Sequence, residues 1–296
     1  MRSSQGSSIQ KTWLNINAVT QSIDTLQMIA SRYDAIIFDQ WGVLHNGTVA
    51  YPEAIDAINQ LGRGGVKLGV LSNSGKRAEP NAARIAAMGF DVDHFDHFMT
   101  SGEALWQDMK QGVIPQRRFY PIERAKGDAA LWADGLDIEI THDLSRADAV
   151  LLMGLPDNAE QTDLTAFIES WRERELPVYC SNPDRQSPRA GGYVVSPGAL
   201  AFAYQDIGGD VTFYGKPHLP VFRSVASAMR AERYLMVGDS LEHDIAGAQT
   251  AGWDSLLIEG GLYADAFGAD PSDATLMRLV AAQKVQPPTF RMKEVR

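Results

Sequence analysis

The chain has a single cysteine, Cys180, among 296 residues, so no disulfide can form within it and its fold must rest on a packed core. No stretch of 18 consecutive apolar residues occurs, so no membrane-spanning helix is expected. Basic residues are in the minority: 27 Lys and Arg stand against 37 Asp and Glu, a net charge of −10. That deficit excludes a sequence-independent grip on nucleic acid, which needs a basic footprint, while leaving room for a local cationic pocket for a small anion. Residues 1–14 are rich in Ser and Gln and lack the apolar centre of a signal peptide, so a soluble, cytoplasmic protein is expected. What the chain does have is the balance of an ordinary globular protein, 45% hydrophobic and 22% charged, at a length for one large domain or two smaller ones.

Short apolar runs alternate with segments of helical spacing. The runs at 35–38, 66–71, 118–122, 138–141, 149–153, 178–180, 211–214, 234–237 and 255–258 read as strands, and another run ends at Met99. Segments 52–61, 80–88, 128–133, 163–173, 219–230 and 244–251 read as helices, and one more starts near Gly102. Strands alternating with helices predict an α/β chain with mostly parallel sheets. The tail 286–296, with two prolines and several basic residues, reads as loosely ordered. Doubly wound sheets place their chemistry outside the carboxyl ends of the strands, so the residues just after each run are the ones to inspect.

Four strand ends carry complementary polar groups. Phe38-Asp39-Gln40-Trp41-Gly42 sets an acid directly after a buried run, with a glycine that lets the backbone approach a ligand. Leu71-Ser72-Asn73 offers a hydroxyl and turn amides suited to a phosphate oxygen, although Ser-Asn is also common turn material. Tyr214-Gly215-Lys216-Pro217 confines a cation at a strand tip. Val237-Gly238-Asp239-Ser240 adds an acid, and Asp244 a second one five residues on, where a helix cap is the alternative role.

Three carboxylates meeting at one sheet edge repel, and at least one would keep its proton unless a cation intervened. Mg2+ suits such a place, because it takes few protein carboxylates and completes its shell with water and phosphate oxygens. Lys216 and the Ser72 hydroxyl would then hold the remaining phosphate charge. The set describes phosphoryl transfer rather than hydride or acyl chemistry.

Taken together, over residues 30–265, the four motifs resemble those of the haloacid dehalogenase superfamily of aspartate-nucleophile phosphatases. The long insert between the second and third motifs resembles class IIA, the NagD-like or nitrophenylphosphatase type. Ser181-Asn182-Pro183-Asp184 and Ser196-Pro197-Gly198-Ala199 resemble the end of that class's cap and its return to the core. The resemblance implies a Rossmann-like, doubly wound parallel-sheet core at 30–101 and 208–268 and an α/β cap at 102–207. An N-terminal extension at 1–29 and a C-terminal helix and tail at 269–296 would flank them. It implies Asp39 as nucleophile, with Asp39, the backbone carbonyl of Trp41, Asp239 and Asp244 holding Mg2+. Gly42, Ser72, Asn73 and Lys216 would surround the phosphoryl group, with Lys216 also neutralising Asp39. The implied partner is a small phosphorylated metabolite, with neither nucleic acid nor membrane involved, and a homodimer is an assembly the resemblance allows.

One position departs from the pattern. Phosphatases of this superfamily carry a second Asp two positions after the nucleophile, as general acid and then base, and Trp41 stands there. Loss of a general acid–base costs about 10²–10⁴ in rate. Three readings stay open: a phosphatase for aryl, acyl or nitrogen-linked phosphates, one whose proton donor lies elsewhere with His45 the nearest candidate, and a phosphate-binding protein with weak turnover. A metal-independent dehalogenase is a further rival, but it has no use for Asp239 and Asp244. Cys180, within an apolar run, reads as an inert buried thiol.

Overall fold

The computed structural model describes residues 19–156, 161–189 and 192–296. Two parallel sheets organise them. The first contains β1 (Gln21–Ser22), β2 (Ala35–Phe38), β3 (Lys67–Ser72), β4 (His97–Thr100), β12 (Tyr234–Gly238), β13 (Asp254–Ile258) and β14 (Phe290–Met292), in the order β1-β14-β13-β12-β2-β3-β4. The second contains β5 (Arg118–Ile122), β6 (Glu139–Ile140), β7 (Ala149–Leu152), β8 (Val178–Cys180) and β11 (Val211–Phe213), in the order β11-β8-β7-β5-β6. β9 (Gln186–Arg189) and β10 (Gly192–Val195), which follow β8 in the chain, pair antiparallel with each other.

Burial on both faces explains why the central strands are apolar runs rather than alternating ones: all four residues of β2 and all five of β12 are buried. The helix Pro52–Arg63 follows from its sequence. Pro52 fits the first turn, where no amide donor is needed, and Ala54, Ala57, Ile58 and Leu61 recur at helical spacing to form its buried face. One apolar cluster joins the two sheets, uniting Ile37 and Leu71 of the first with Phe119, Leu151 and Tyr179 of the second through Leu105 and Met109 of the helix Ser101–Lys110. Among the described residues no helix is long and apolar enough to cross a membrane.

Three expectations change. The segment at 211–213, expected in the core that resumes at 208, pairs with Val178–Cys180 and so belongs to the second sheet. An isolated apolar run announces a strand but not its partner, which is why the sequence misplaced the boundary. The tail at 286–296 is not loose: Phe290 and Met292 are buried in β14, which pairs with β13, and Val295 is buried beyond it. The N-terminal extension likewise supplies β1, which pairs with β14. Prolines 287 and 288 suggested a loop, yet they precede the strand rather than interrupt it. Cys180 is buried, and burial pushes its thiol up to about 12, as an inert core residue requires.

Candidate active site

Parallel register brings the motif residues together. Val237 of β12 lies opposite Phe38 of β2, so Asp39 and Asp239 leave neighbouring strand ends. Val70 of β3 lies on the other side of Phe38, which puts Ser72 at the adjacent tip. Asp244 sits in a turn of π-helix, Leu241–Ile245, leading into the helix Ala246–Ala251, and there its side chain accepts from the Ser240 N–H at 3.0 Å. Lys216 arrives from the second sheet, just past β11.

The four charged groups meet in a buried cluster. The Lys216 Nζ donates to Asp39 Oδ1 at 2.6 Å and forms an ion pair with Asp244 Oδ1 at 2.7 Å. One carboxylate oxygen each from Asp39, Asp239 and Asp244 lies within 4.8 Å of the others. Lys216, Asp239 and Asp244 are buried and Asp39 largely so. Three acids against one ammonium leave excess negative charge in a poorly hydrated place. Burial, aided by the Asp244 charge and opposed by Lys216, raises the Asp39 carboxyl to about 6. Burial and the charges of Asp39 and Asp244 raise Asp239 to about 8. Burial would lower the Lys216 ammonium, but Asp244 and Asp39 outweigh it and hold its proton more tightly than usual.

This is a donor set for a hard divalent cation. The Leu262 N–H holds Asp239 Oδ2 at 2.9 Å, and the Ser240 N–H holds Asp244 Oδ2. Oδ1 of Asp244 is left buried with no well-aligned hydrogen bond, its contact with Lys216 being one of charge. Two raised carboxyls, in a cluster of three acids against one ammonium, are what a cation would relieve. Glycines make the packing possible. Gly42 has φ +78°, and a Cβ there would collide with Asp239 Oδ2, while a Cβ on Gly238 would collide with the Asp244 carboxyl.

The other expected residues are distributed around the cluster. Ser72 Oγ accepts from the Ser74 N–H at 3.3 Å. The Asn73 side chain is committed to protein partners: its Oδ1 accepts from the Lys216 N–H at 2.7 Å, and its Nδ2 donates to the Lys216 carbonyl at 3.2 Å and to Asp184 Oδ1 at 2.8 Å. The Trp41 side chain is 41% exposed and packs against Gly47. His45 is turned inward, 1% exposed, with Nδ1 accepting from the Gly47 N–H at 2.9 Å. Burial and the Arg84 charge lower its pKa to about 4, so it is neutral near pH 7. Sequence reasoning missed Asp184 as part of this site, although it follows β8 as the other acids follow their strands.

A cleft of about 730 Å3 opens between the loop after β3 and the ends of β5, β7 and β8. Lys76, Arg77, Arg124, Trp132, Leu155 and Asn182 are among its walls, so it is part cationic and part apolar.

Two family models match the chain, one described as haloacid dehalogenase-like hydrolase over residues 36–136 and one as HAD-hydrolase-like over 213–280, together more than half its length. A phospholysine phosphohistidine inorganic pyrophosphate phosphatase from Xenopus laevis is 27% identical over 251 residues, covering 79% of this chain and 86% of its own. Among solved structures, a haloacid dehalogenase-like hydrolase from Brucella suis 1330 superposes with a TM-score of 0.75 at 29% identity, over 93% of this chain and 100% of that one. NagD from Escherichia coli K-12 shares the fold, with a TM-score of 0.67 at 22% identity over 88% of this chain and 96% of that one.

Proposed function

The chain belongs to the haloacid dehalogenase-like hydrolases, and from that premise we propose that it is a Mg2+-dependent phosphatase acting on a small phosphorylated metabolite through an aspartyl-phosphate at Asp39. The observation that carries the reading is Lys216 Nζ at 2.6 and 2.7 Å from two carboxylates of a three-acid cluster at the strand ends. Asp39 Oδ attacks phosphorus, the new P–O bond forms, and the bond to the leaving group breaks with its electron pair going to that group. Water then attacks phosphorus, frees inorganic phosphate and restores the carboxylate. Lys216 keeps Asp39 ionised against the pull of burial and neutralises charge on the transferring group. Ser72, at the adjacent strand tip, would donate its hydroxyl to a phosphoryl oxygen, and Gly42 would let the backbone come close. Asp39, Asp239, Asp244 and the Trp41 carbonyl would hold Mg2+, which when bound supplies charge shielding for the phosphoryl oxygens. The remainder of the substrate fits the cleft beyond Ser74. A metal-independent dehalogenase leaves Asp239 and Asp244 without a purpose beside Asp39, and the cluster speaks against it.

Trp41 governs the substrate class. An indole gives no proton to a departing alkoxide, and the neutral, inward-facing His45 is a poor substitute. The enzyme therefore suits aryl, acyl, anhydride or nitrogen-linked phosphates, a range to which the name of the Xenopus laevis relative also points. Across a series of phosphate monoesters, kcat/KM should fall steeply as leaving-group pKa rises. Trp41→Asp should raise the rate on an alkyl phosphate by about 10² or more while changing an aryl phosphate little. A flat series that Trp41→Asp leaves flat would mean that another group delivers the proton.

A further inference from the structure

We infer that Asp184 is a positioning residue for the catalytic lysine: through Asn73 it ties the end of β8 in the second sheet to the backbone of Lys216. Both backbone polar groups of Lys216 are held by one side chain, its N–H by Asn73 Oδ1 at 2.7 Å and its carbonyl by Asn73 Nδ2 at 3.2 Å. The second Nδ2 hydrogen goes to Asp184 Oδ1 at 2.8 Å, so the amide is saturated and can point only one way. A carboxylate acceptor makes that last bond charge-assisted. Asp184 is itself oriented, its N–H donating to Asn182 Oδ1 at 3.0 Å. His243 Nε2 stands 4.0 Å from Asp184 Oδ1, beyond hydrogen-bond reach.

The chain path gives this link its meaning. Lys216 lies on the segment that returns from the second sheet, where the Tyr214 N–H donates to the Cys180 carbonyl at 2.9 Å. Gly215 packs against Pro183 so closely that any Cβ there would collide with the proline ring. Asn73 comes instead from the tip of β3 in the first sheet. The lysine is therefore seated by residues that come from both sheets, and its place beside Asp39 and Asp244 depends on how the ends of the two sheets meet. A displacement of about 1 Å at a reacting group costs up to about 10²-fold in rate, so a lost tether is visible in kcat.

The kinetic arm of the test rests on the phosphatase reading; a second arm does not. With an aryl phosphate, Asp184→Ala should lower kcat about 10- to 100-fold with KM changed less than about threefold. Asp184→Asn, which keeps the acceptor oxygen, should recover most of that loss. Asn73→Ala should behave like Asp184→Ala, and the double variant should be no slower than Asn73→Ala alone, because both act through one connection. In the second arm, amide hydrogen exchange at Lys216 should accelerate in Asp184→Ala while β12 stays protected. Wild-type kcat in Asp184→Ala, additive losses in the double variant, or an unchanged Lys216 amide would each overturn the inference. If the wild-type protein releases no phosphate at all, the phosphatase reading has failed, and the Lys216 amide alone decides this one.

Discussion

Asp39→Asn should abolish phosphate release, lowering kcat by at least about 10⁴-fold, the scale on which losing a nucleophile acts in other covalent enzymes. An amide is a poor nucleophile toward phosphorus and forms no stable phosphorylated intermediate. The fold should not suffer. Asp39 carries part of an excess negative charge, and burial and Asp244 already raise its carboxyl to about 6. Removing that charge relieves Asp239, whose carboxyl is raised in part by Asp39. Without Mg2+, the thermal midpoint of Asp39→Asn should match or exceed that of the wild type. An inactive protein that also unfolds at markedly lower temperature would point to a structural role.

Lys216→Met should lower kcat by about 10²–10³-fold, the loss expected when a charge aimed at the transition state is removed. Its effect on pH dependence is the more telling one. Lys216 opposes the burial that raises Asp39, so without it Asp39 holds its proton to higher pH. The acid limb of the pH–rate profile should move upward by about one pH unit or more. Stability should change in the same sense. A carboxyl raised in the folded state stabilises fully below its unfolded value near pH 4, and that contribution is lost as pH climbs through the folded value. Because Lys216 holds Asp39 down to about 6 and Asp239 down to about 8, the two metal-free proteins should lose midpoint together up to about pH 6, and the variant should fall progressively behind wild type as pH climbs above that, where its carboxyls still hold protons that the wild type has released. Saturating Mg2+ should reverse part of both shifts. An acid limb that stays where it was would mean that Lys216 does not set the ionisation of Asp39.

The sequence revealed most of this site for one reason. A parallel strand buried on both faces is an unbroken apolar run, and its carboxyl end is therefore visible as the first polar residue after it. Asp39, Ser72 and Asp239 stand out as candidates in that way, and Asp244 by its distance from Asp239. Pairing was not visible. The run 211–213 looks the same whether it joins the first sheet or the second, and its attachment to β8 places Lys216 on the return from the second sheet. In the tail, composition speaks for a loop, while burial of Phe290, Met292 and Val295 decides for order. Asn73 looked like phosphate-binding turn material, and only three dimensions show its amide spent on Lys216 and Asp184. The role of Asp184 could not be read from spacing, since its partner stands 111 positions away.

The central claim is that Asp39 carries the phosphoryl group. Wild-type enzyme mixed with an aryl phosphate and Mg2+, quenched in acid within a turnover and digested, should give one modified peptide. That peptide contains Asp39, gains the mass of one phosphoryl group and loses it on treatment with hydroxylamine. Phosphate released in normal amounts, with no such modification at Asp39 at any quench time, would contradict the account.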